Sequence, residues 1–384
     1  MTNDLGDRNV RFVLSLDAYL VINPTLIFRP PSLSKSDGWI VEDVFAEKIF
    51  NLDDLHALAA LYFARPQTAE RAAAALINRC GLSFDAIMQV IERLSLDGVL
   101  IEKIESSISE CAEHANKTRS LWWNYGWVNA CEYHLATYNS RFIPATREGR
   151  LESNEVMKQY ADVEKDSDRT KNYPKARRIE LPSVSAQLIA SPYGRESDDL
   201  KRVSLDELGS ILSIVFGVVR KRRPAWNGAP LIFRTSPSGG ARQPTEGYLV
   251  CRSVEGLSSG LYHISVDPPG LEHLKVFDDL PPCYTMMLQR SGFPISAVIV
   301  LTTVFERNMY RYRESRTYRT VHMDAGHLCG SLEVLLKNLG FRTFVQYGPD
   351  DRSLHELIGV HPLQEGIQIS IGIGLEGRSD ASDR

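Results

Sequence analysis

The sequence has little of what commits a chain to a special environment. Only six of its 384 residues are cysteine (Cys80, Cys111, Cys131, Cys251, Cys283 and Cys329), and none stands in a Cys-x-x-Cys pair. That argues against a disulfide framework and a zinc ribbon, and it suits a reducing cytoplasm. Long hydrophobic runs are missing too: the longest, Ser296–Val304, is far short of the ~20 residues a membrane helix needs. The opening MTNDLGDRNVRF has no apolar stretch after a basic start, so no signal peptide is expected. With 44 basic against 48 acidic residues there is no excess of positive charge, and nucleic acid or an anionic membrane is not an expected partner. Neither a Gly-x-Ser-x-Gly elbow nor a Walker loop occurs, which leaves hydrolase and P-loop readings unsupported.

What is present reads as a soluble globular protein, 43% hydrophobic and 24% charged. At roughly 150 residues per domain, the length predicts two or three domains. Residues 1–104 are expected to form a small mixed domain. VRFVLSLDAYLVI alternates as a strand does, Asn23-Pro24 turns the chain, and LIFRP follows as a second strand. Asp53-Asp54 opens a helix through LHALAALYF, an Ala-rich helix follows over Gln67–Asn78 and ends at Gly81, and Ser83 caps FDAIMQVIERLSLDG. A short strand over Val99–Ile101 closes the unit. Helix, turn, helix and strand in that order have a winged-helix layout. Arg93 against Asp85, Glu92 and Asp97 on the second helix points away from DNA and toward a docked peptide or protein.

Residues 105–180 are expected to be a helical connector, with Trp123, Trp127 and Tyr133 packed. Within it, Thr146–Arg178 is charge-dense and poor in large apolar residues. It reads as a surface linker or an ordered excursion, and as the domain boundary. Residues 181–384 form the largest domain. Ser204 caps LDELGSILSIVFG, GYLVCRSV and GLYHISV pair as strands, and Ala297–Val304 is a strand buried on both faces. Gly326–Leu339 is a helix stopped by Gly340, and Phe341–Gln346 and Ile367–Ile373 are the last strands. The fold class is therefore α+β.

The segment richest in chemistry is RTSPSGGARQPTEGY, Arg234–Tyr248. Gly239 and Gly240 let backbone amides approach a ligand, while Ser236, Ser238, Arg234 and Arg242 converge on one short loop. Such a loop suits a planar anion; a plain hairpin loop is the alternative. His322, Asp324 and His327 would place two polar groups on one strand face with the third at a helix start, too few for a metal site.

PSGGARQPTEGY followed by GLSSGLYHI resembles the core of SagB-type dehydrogenases, the azoline-dehydrogenase branch of the FMN-dependent nitroreductase superfamily. YRTVHMDAGHLCGSLEVLLKNLGF is similar to that family's strand, Asp-x-Gly-His and long helix. WWNYGWVNACEYH and YPKARRIELP resemble its upstream region. The N-terminal region resembles the peptide-recognition domains attached to some of these enzymes. The resemblance implies a nitroreductase-like domain, mixed or antiparallel, that binds FMN as a homodimer in the cytoplasm. The implied activity is a two-electron oxidation of a peptide-derived heterocycle, azoline to azole, in the maturation of a ribosomal peptide, alongside a partner biosynthetic enzyme. Two alternatives stay open: an FMN-dependent oxidase of another carrier-bound or small-molecule intermediate, and a flavin-free scaffold subunit.

By the same resemblance, Arg195 and Ser197 match the family's phosphate-binding Arg-x-Ser-x-Arg motif, with Asp199 where the second arginine would fall. Ser236, Pro237, Ser238 and Arg242 match the loop along the isoalloxazine and ribityl chain, with Arg234 and Gly239 of the same loop expected as further cofactor contacts, and Arg378 stands where a second basic phosphate contact is expected. Arg311-Tyr312 falls at the family's catalytic Lys-Tyr pair. A guanidinium stays protonated where a buried lysine can act as a base. Arg311 is thus expected to orient the substrate or stabilise charge, and Tyr312 to move the proton. The surrounding Arg307, Arg313, Arg316 and Arg319 read as a basic surface.

Overall fold

The computed structural model describes residues 17–31, 37–43, 46, 48–103, 110–138, 142–182 and 202–375. The chain divides into two compact units, 1–141 and 142–384.

In the first unit, β1 (Tyr19–Ile22) pairs antiparallel with β5 (Gln67–Thr68) and β6 (Leu100–Glu102). A second antiparallel sheet joins β2 (Leu26–Arg29), β3 (Trp39–Asp43) and β4 (Lys48–Leu52). Each of the three helices starts where the sequence offers a cap: Asp53 before α1 (Asp54–Leu61), Thr68 before α2 (Ala69–Cys80) and Ser83 before α3 (Phe84–Leu96). Gly81 ends α2 at φ +66°, a left-handed conformation that glycine adopts without strain. Leu76, Ile87, Ile91 and Leu94 are fully buried in this unit's core.

Two further helices, α4 (Glu110–Asn124) and α5 (Val128–Ala136), belong to the same unit. Trp123 and Trp127, expected to pack, are instead 48% and 61% exposed. Trp122 is the partner that Trp127 meets edge-on, at 5.7 Å between ring centroids.

The second unit is built on a seven-stranded antiparallel sheet. Its strands are β7 (Arg177–Glu180), β10 (Thr245–Cys251), β11 (Gly260–Val266), β12 (Pro269–Val276), β13 (Ile295–Val304), β14 (Arg342–Gln346) and β15 (Glu365–Gly374), in the order β14-β15-β13-β10-β11-β12-β7. A hairpin of β8 (Val218–Arg222) and β9 (Leu231–Arg234) stands apart from it. Residue alternation sorts the sheet's faces. Leu249, Cys251, Ile299 and Leu301 pack with α7 (Leu205–Phe216) and α10 (Thr317–Asn338). Tyr248, Val250, Val298 and Val300 pack with α8 (Pro282–Ser291) and α11 (Asp351–Ile358). The continuous apolar run of β13 is explained by this burial on both faces.

Of the two forms expected for one segment the structure has the second, and one other expectation is corrected. Thr146–Arg178 is an ordered excursion of the second unit: α6 (Arg147–Val163) occupies its first half, the next residues bury Asp166 and Arg169, and the end becomes strand β7. Part of the charge density that resembled a linker is spent on ion pairs inside that unit, as at Asp166, Arg169 and Lys171, and the rest is exposed. The boundaries read at 104/105 and 180/181 accordingly differ from the single division after Arg141. His322 and Asp324 do not alternate on a strand, because α10 runs unbroken through Gly326. Val321, Asp324, Leu328 and Leu332 form its buried stripe, at helical spacing.

Gly247 on β10 shows how tightly the sheet packs. A Cβ there would lie 2.6 Å from Phe216 Cζ and 2.9 Å from Ile264 Cδ1. Gly247→Ala is expected to destabilise the unit by about 1–3 kcal/mol through overpacking, read as a lowered urea midpoint. An unchanged midpoint would mean that Phe216 moves aside freely.

Candidate functional site

The loop between β9 and β10 is fastened before it meets any ligand. Ser238 Oγ donates to Asp324 Oδ2 at 2.8 Å, and the Gly239 amide donates to Asp324 Oδ1 at 3.1 Å. The Gln243 amide donates in turn to Ser238 Oγ at 2.9 Å, and Ser236 Oγ lies 3.1 Å from Ser331 Oγ. Burial pushes the Asp324 carboxyl up, against the hydrogen bonds from Ser238 and Gly239. The glycine amide and serine hydroxyls read from sequence as ligand contacts are therefore largely spent on α10. Gly240 takes φ +60°, and a Cβ there would collide with the Tyr312 hydroxyl. The structure thus brings the loop and the Arg311-Tyr312 pair together.

Beside the loop lies a cleft of about 840 Å³, lined by Ser236, Pro237, Ser238, Gly240, Phe233 and Trp226 together with five arginines. Arg234 and Arg311 were legible in the sequence; Arg150 on α6 and Arg222 and Arg223 on the β8–β9 hairpin were not. Arg234 is 94% buried: its Nη1 donates to the Thr245 carbonyl at 3.2 Å, while Nε and Nη2 have no partner among the described residues. Burial lowers its pKa to about 10, so it stays cationic at neutral pH. Arg311 is held over the rings of Tyr312 (5.2 Å) and Trp226 (5.9 Å), and its Nη2 donates to Ser153 Oγ at 3.4 Å.

Arg242 does not face the cleft, which corrects its expected contact with a ligand. Fully buried, it pairs with Asp166 (Nη2–Oδ1 2.8 Å) and donates through Nε to the Arg307 carbonyl. Asp166 also binds Arg169 at both guanidinium nitrogens, at 2.9 and 2.6 Å. Burial works against its charge, but Arg169 and Arg242 outweigh it and hold the carboxyl below the usual range. Arg307 likewise leaves the expected basic surface: it is 97% buried, 2.5 Å from Glu246 Oε1. Arg313 is ion-paired with Glu164. Arg195, Ser197, Asp199 and Arg378 lie outside the described residues.

A second polar cluster lies behind the loop. His263 is bracketed by Glu272 (2.8 Å) and Glu246 (3.1 Å). Burial lowers the histidine's pKa, yet the two carboxylates raise it further, so the imidazolium is favoured. Burial likewise pushes Glu246 up, and Arg307, His263 and Arg234 together bring it down to about 2. Lys171 Nζ donates to Glu365 at 2.7 Å and to the Tyr248 hydroxyl at 2.9 Å. None of these residues lines the cleft. Among the described residues no group of His, Cys, Asp and Glu has the arrangement of a metal site, and no helix is long and apolar enough to cross a membrane.

Removing Asp166 strands two buried cations. Asp166→Ala is expected to cost about 3–5 kcal/mol, measured by urea unfolding. Because the folded carboxyl titrates below its unfolded value, its stabilisation is complete above the ordinary carboxylate range and fades as pH falls through the folded value. Asp166→Asn should therefore flatten the acid arm of the stability profile; an arm identical to the parent's would remove Asp166 from that role.

Residues 195–375 match the family model described as the nitroreductase family. The chain is 28% identical over 134 residues to the trifolitoxin-processing protein TfxB of Rhizobium leguminosarum bv. trifolii, a match covering 34% of this chain and 36% of that protein. It is 26% identical over 161 residues to a Methanocaldococcus jannaschii protein bearing a nitroreductase name, covering 41% of this chain and 75% of that one. Among solved structures, a chain of the E. coli microcin synthetase McbBCD complex with truncated pro-MccB17 aligns over 68% of this chain and 94% of its own, at 18% identity and TM-score 0.38. The segment that resembles the nitroreductase family contains the sheet's central strands, the pinned loop and most of the cleft wall, and its α+β fold is nitroreductase-like.

Proposed function

We propose that the second unit is an FMN-dependent oxidoreductase that removes two hydrogens from a peptide-derived heterocycle, converting an azoline to an azole. The carrying observation is the pinned loop beside a cationic, ring-lined cleft inside the family-matched segment. FMN fits the residues present. The buried Arg234 has two donors without partners, as a phosphate or flavin carbonyl requires, and Pro237, Phe233 and Trp226 offer apolar surface to a planar ring. A trifolitoxin-processing relative supports a peptide substrate.

Bound FMN would supply the two-electron acceptor, and the chain supplies position and proton handling. Arg234, Ser236, Pro237, Ser238 and Gly239 form the cofactor's berth, with Arg195, Ser197 and Arg378 as further phosphate contacts. Arg242 supports that berth through Asp166 without touching it. Arg311 keeps its proton and orients the substrate by charge. Tyr312, its hydroxyl against Gly240, transfers the proton. The first unit docks the peptide or a partner enzyme, the catalytic unit works as a homodimer, and the protein is cytoplasmic. A second reading, oxidation of another carrier-bound or small intermediate, is favoured by one residue: Arg311 cannot serve as the base a lysine could.

Three outcomes test this reading. The purified full-length protein should be yellow and release a chromophore with the mass of FMN; a colourless protein that takes up no added FMN would overturn the proposal. Arg234→Gln should weaken FMN binding roughly 10- to 100-fold, and unchanged affinity would take Arg234 out of the berth. Tyr312→Phe should slow substrate-dependent flavin reduction by about 100-fold with FMN retained; an unchanged rate would exclude the hydroxyl from proton transfer.

A further inference from the structure

Two sets of arginines stand out in the second unit. Arg169, Arg242, Arg307 and Arg313 each meet a carboxylate. Arg150, Arg222, Arg223, Arg234 and Arg311 line the cleft, and among the described residues none of these has a carboxylate at ion-pair distance. Among the described residues no aspartate or glutamate lines the cleft. Five cations facing one space repel one another unless anions enter. A flavin phosphate brings a charge of at most about −2, fewer than the cations that line the cleft.

The excess charge has a built wall. Arg150, Ser153 and Asn154 stand at i, i+3 and i+4 on α6, one face of that helix, and all three line the cleft. Arg311 reaches the same face through its 3.4 Å hydrogen bond to Ser153. Two guanidinium groups from separate elements thus converge beside a hydroxyl and an amide. α6 is itself held in place at its C-terminal end, where Arg313 pairs with Glu164 and stacks 3.6 Å over the Tyr160 ring.

We infer that this wall is a carboxylate clamp: Arg150 and Arg311, with Ser153 and Asn154, select a peptide substrate by an acidic group next to the reacting ring. Arg222 and Arg223, on the exposed hairpin, draw that group in. The inference deepens the flavin reading, on which its charge count rests.

The test uses the full-length protein loaded with FMN and titrated calorimetrically with acetylated, amidated tetraglutamate or tetraglutamine. Tetraglutamate should bind at least ~10-fold tighter, and the advantage should shrink with added salt. Arg150→Gln, at an exposed position, should erase most of that advantage while leaving tetraglutamine affinity and bound FMN per protein unchanged. Arg223→Gln should reduce it less. If tetraglutamine with a free carboxyl end matches tetraglutamate, the clamp stands and the recognised group is the chain terminus. Equal affinity for the two amidated peptides, or full discrimination in Arg150→Gln, would overturn it. A yellow protein that fails to discriminate sinks the clamp alone, and a discriminating protein that takes up no FMN sinks the flavin reading alone.

Discussion

Asp166 lies between two buried guanidinium groups, and three segments of the second unit meet through it. Its own segment, with Arg169 three residues on, follows α6, Arg242 comes from the β9–β10 loop, and the Ala229 amide between β8 and β9 donates to Asp166 Oδ2 at 3.2 Å. Arg242 then donates to the carbonyl of Arg307, which binds back to the Gln243 carbonyl and to Glu246. Desolvating such charges costs several kcal/mol per ion, and the pairing recovers that cost only in good geometry. A wrong approach of α6 to the loop would leave charges buried and unpaired. The interaction therefore favours one arrangement of the cleft wall over its near alternatives.

The same logic extends across one face of the sheet. Glu246, His263 and Glu272 sit on adjacent strands, at positions where apolar neighbours alternate to the opposite core. Lys171 and Tyr248 meet Glu365 from the strand side and from the excursion. A register slip of one residue on β10 would turn Glu246 and Tyr248 into the apolar core packed by α7 and α10. Polar pairing behind the loop and apolar packing on the far face thus enforce the same register, which places Arg234 and the β9–β10 loop at the cleft.

Much of this was legible in the sequence because local signals agreed with the fold. Asp53, Ser83 and Ser204 each stand at the cap the sequence indicated, and β10, β11 and β13 lie where the alternating and apolar runs put them. The SPSGG loop and Arg311-Tyr312 could be singled out, and they do adjoin. Several misreadings come from partners far apart in sequence. Asp166 and Arg242 are separated by 76 residues, so nothing local distinguishes their segment from a solvated linker. Arg150 resembles any helix-surface arginine, and Arg222-Arg223 resembles a generic basic run. Asp324 seemed to sit on a strand because polar residues alternate around it, whereas the stripe from Val321 to Leu336 follows helical spacing.

Strand β7 shows how far the second unit extends upstream. It supplies the outer edge of the sheet, pairing with β12 from residues upstream of the family-matched segment. Asp166 and Lys171, which neutralise Arg242 and Glu365, lie upstream as well. A chain cut to residues 195–375 would keep the central strands but bare the edge of β12, inviting edge-to-edge association. It would also bury two charges without their partners. The matched segment and the compact unit therefore differ in extent: the unit takes in α6 and β7 as well.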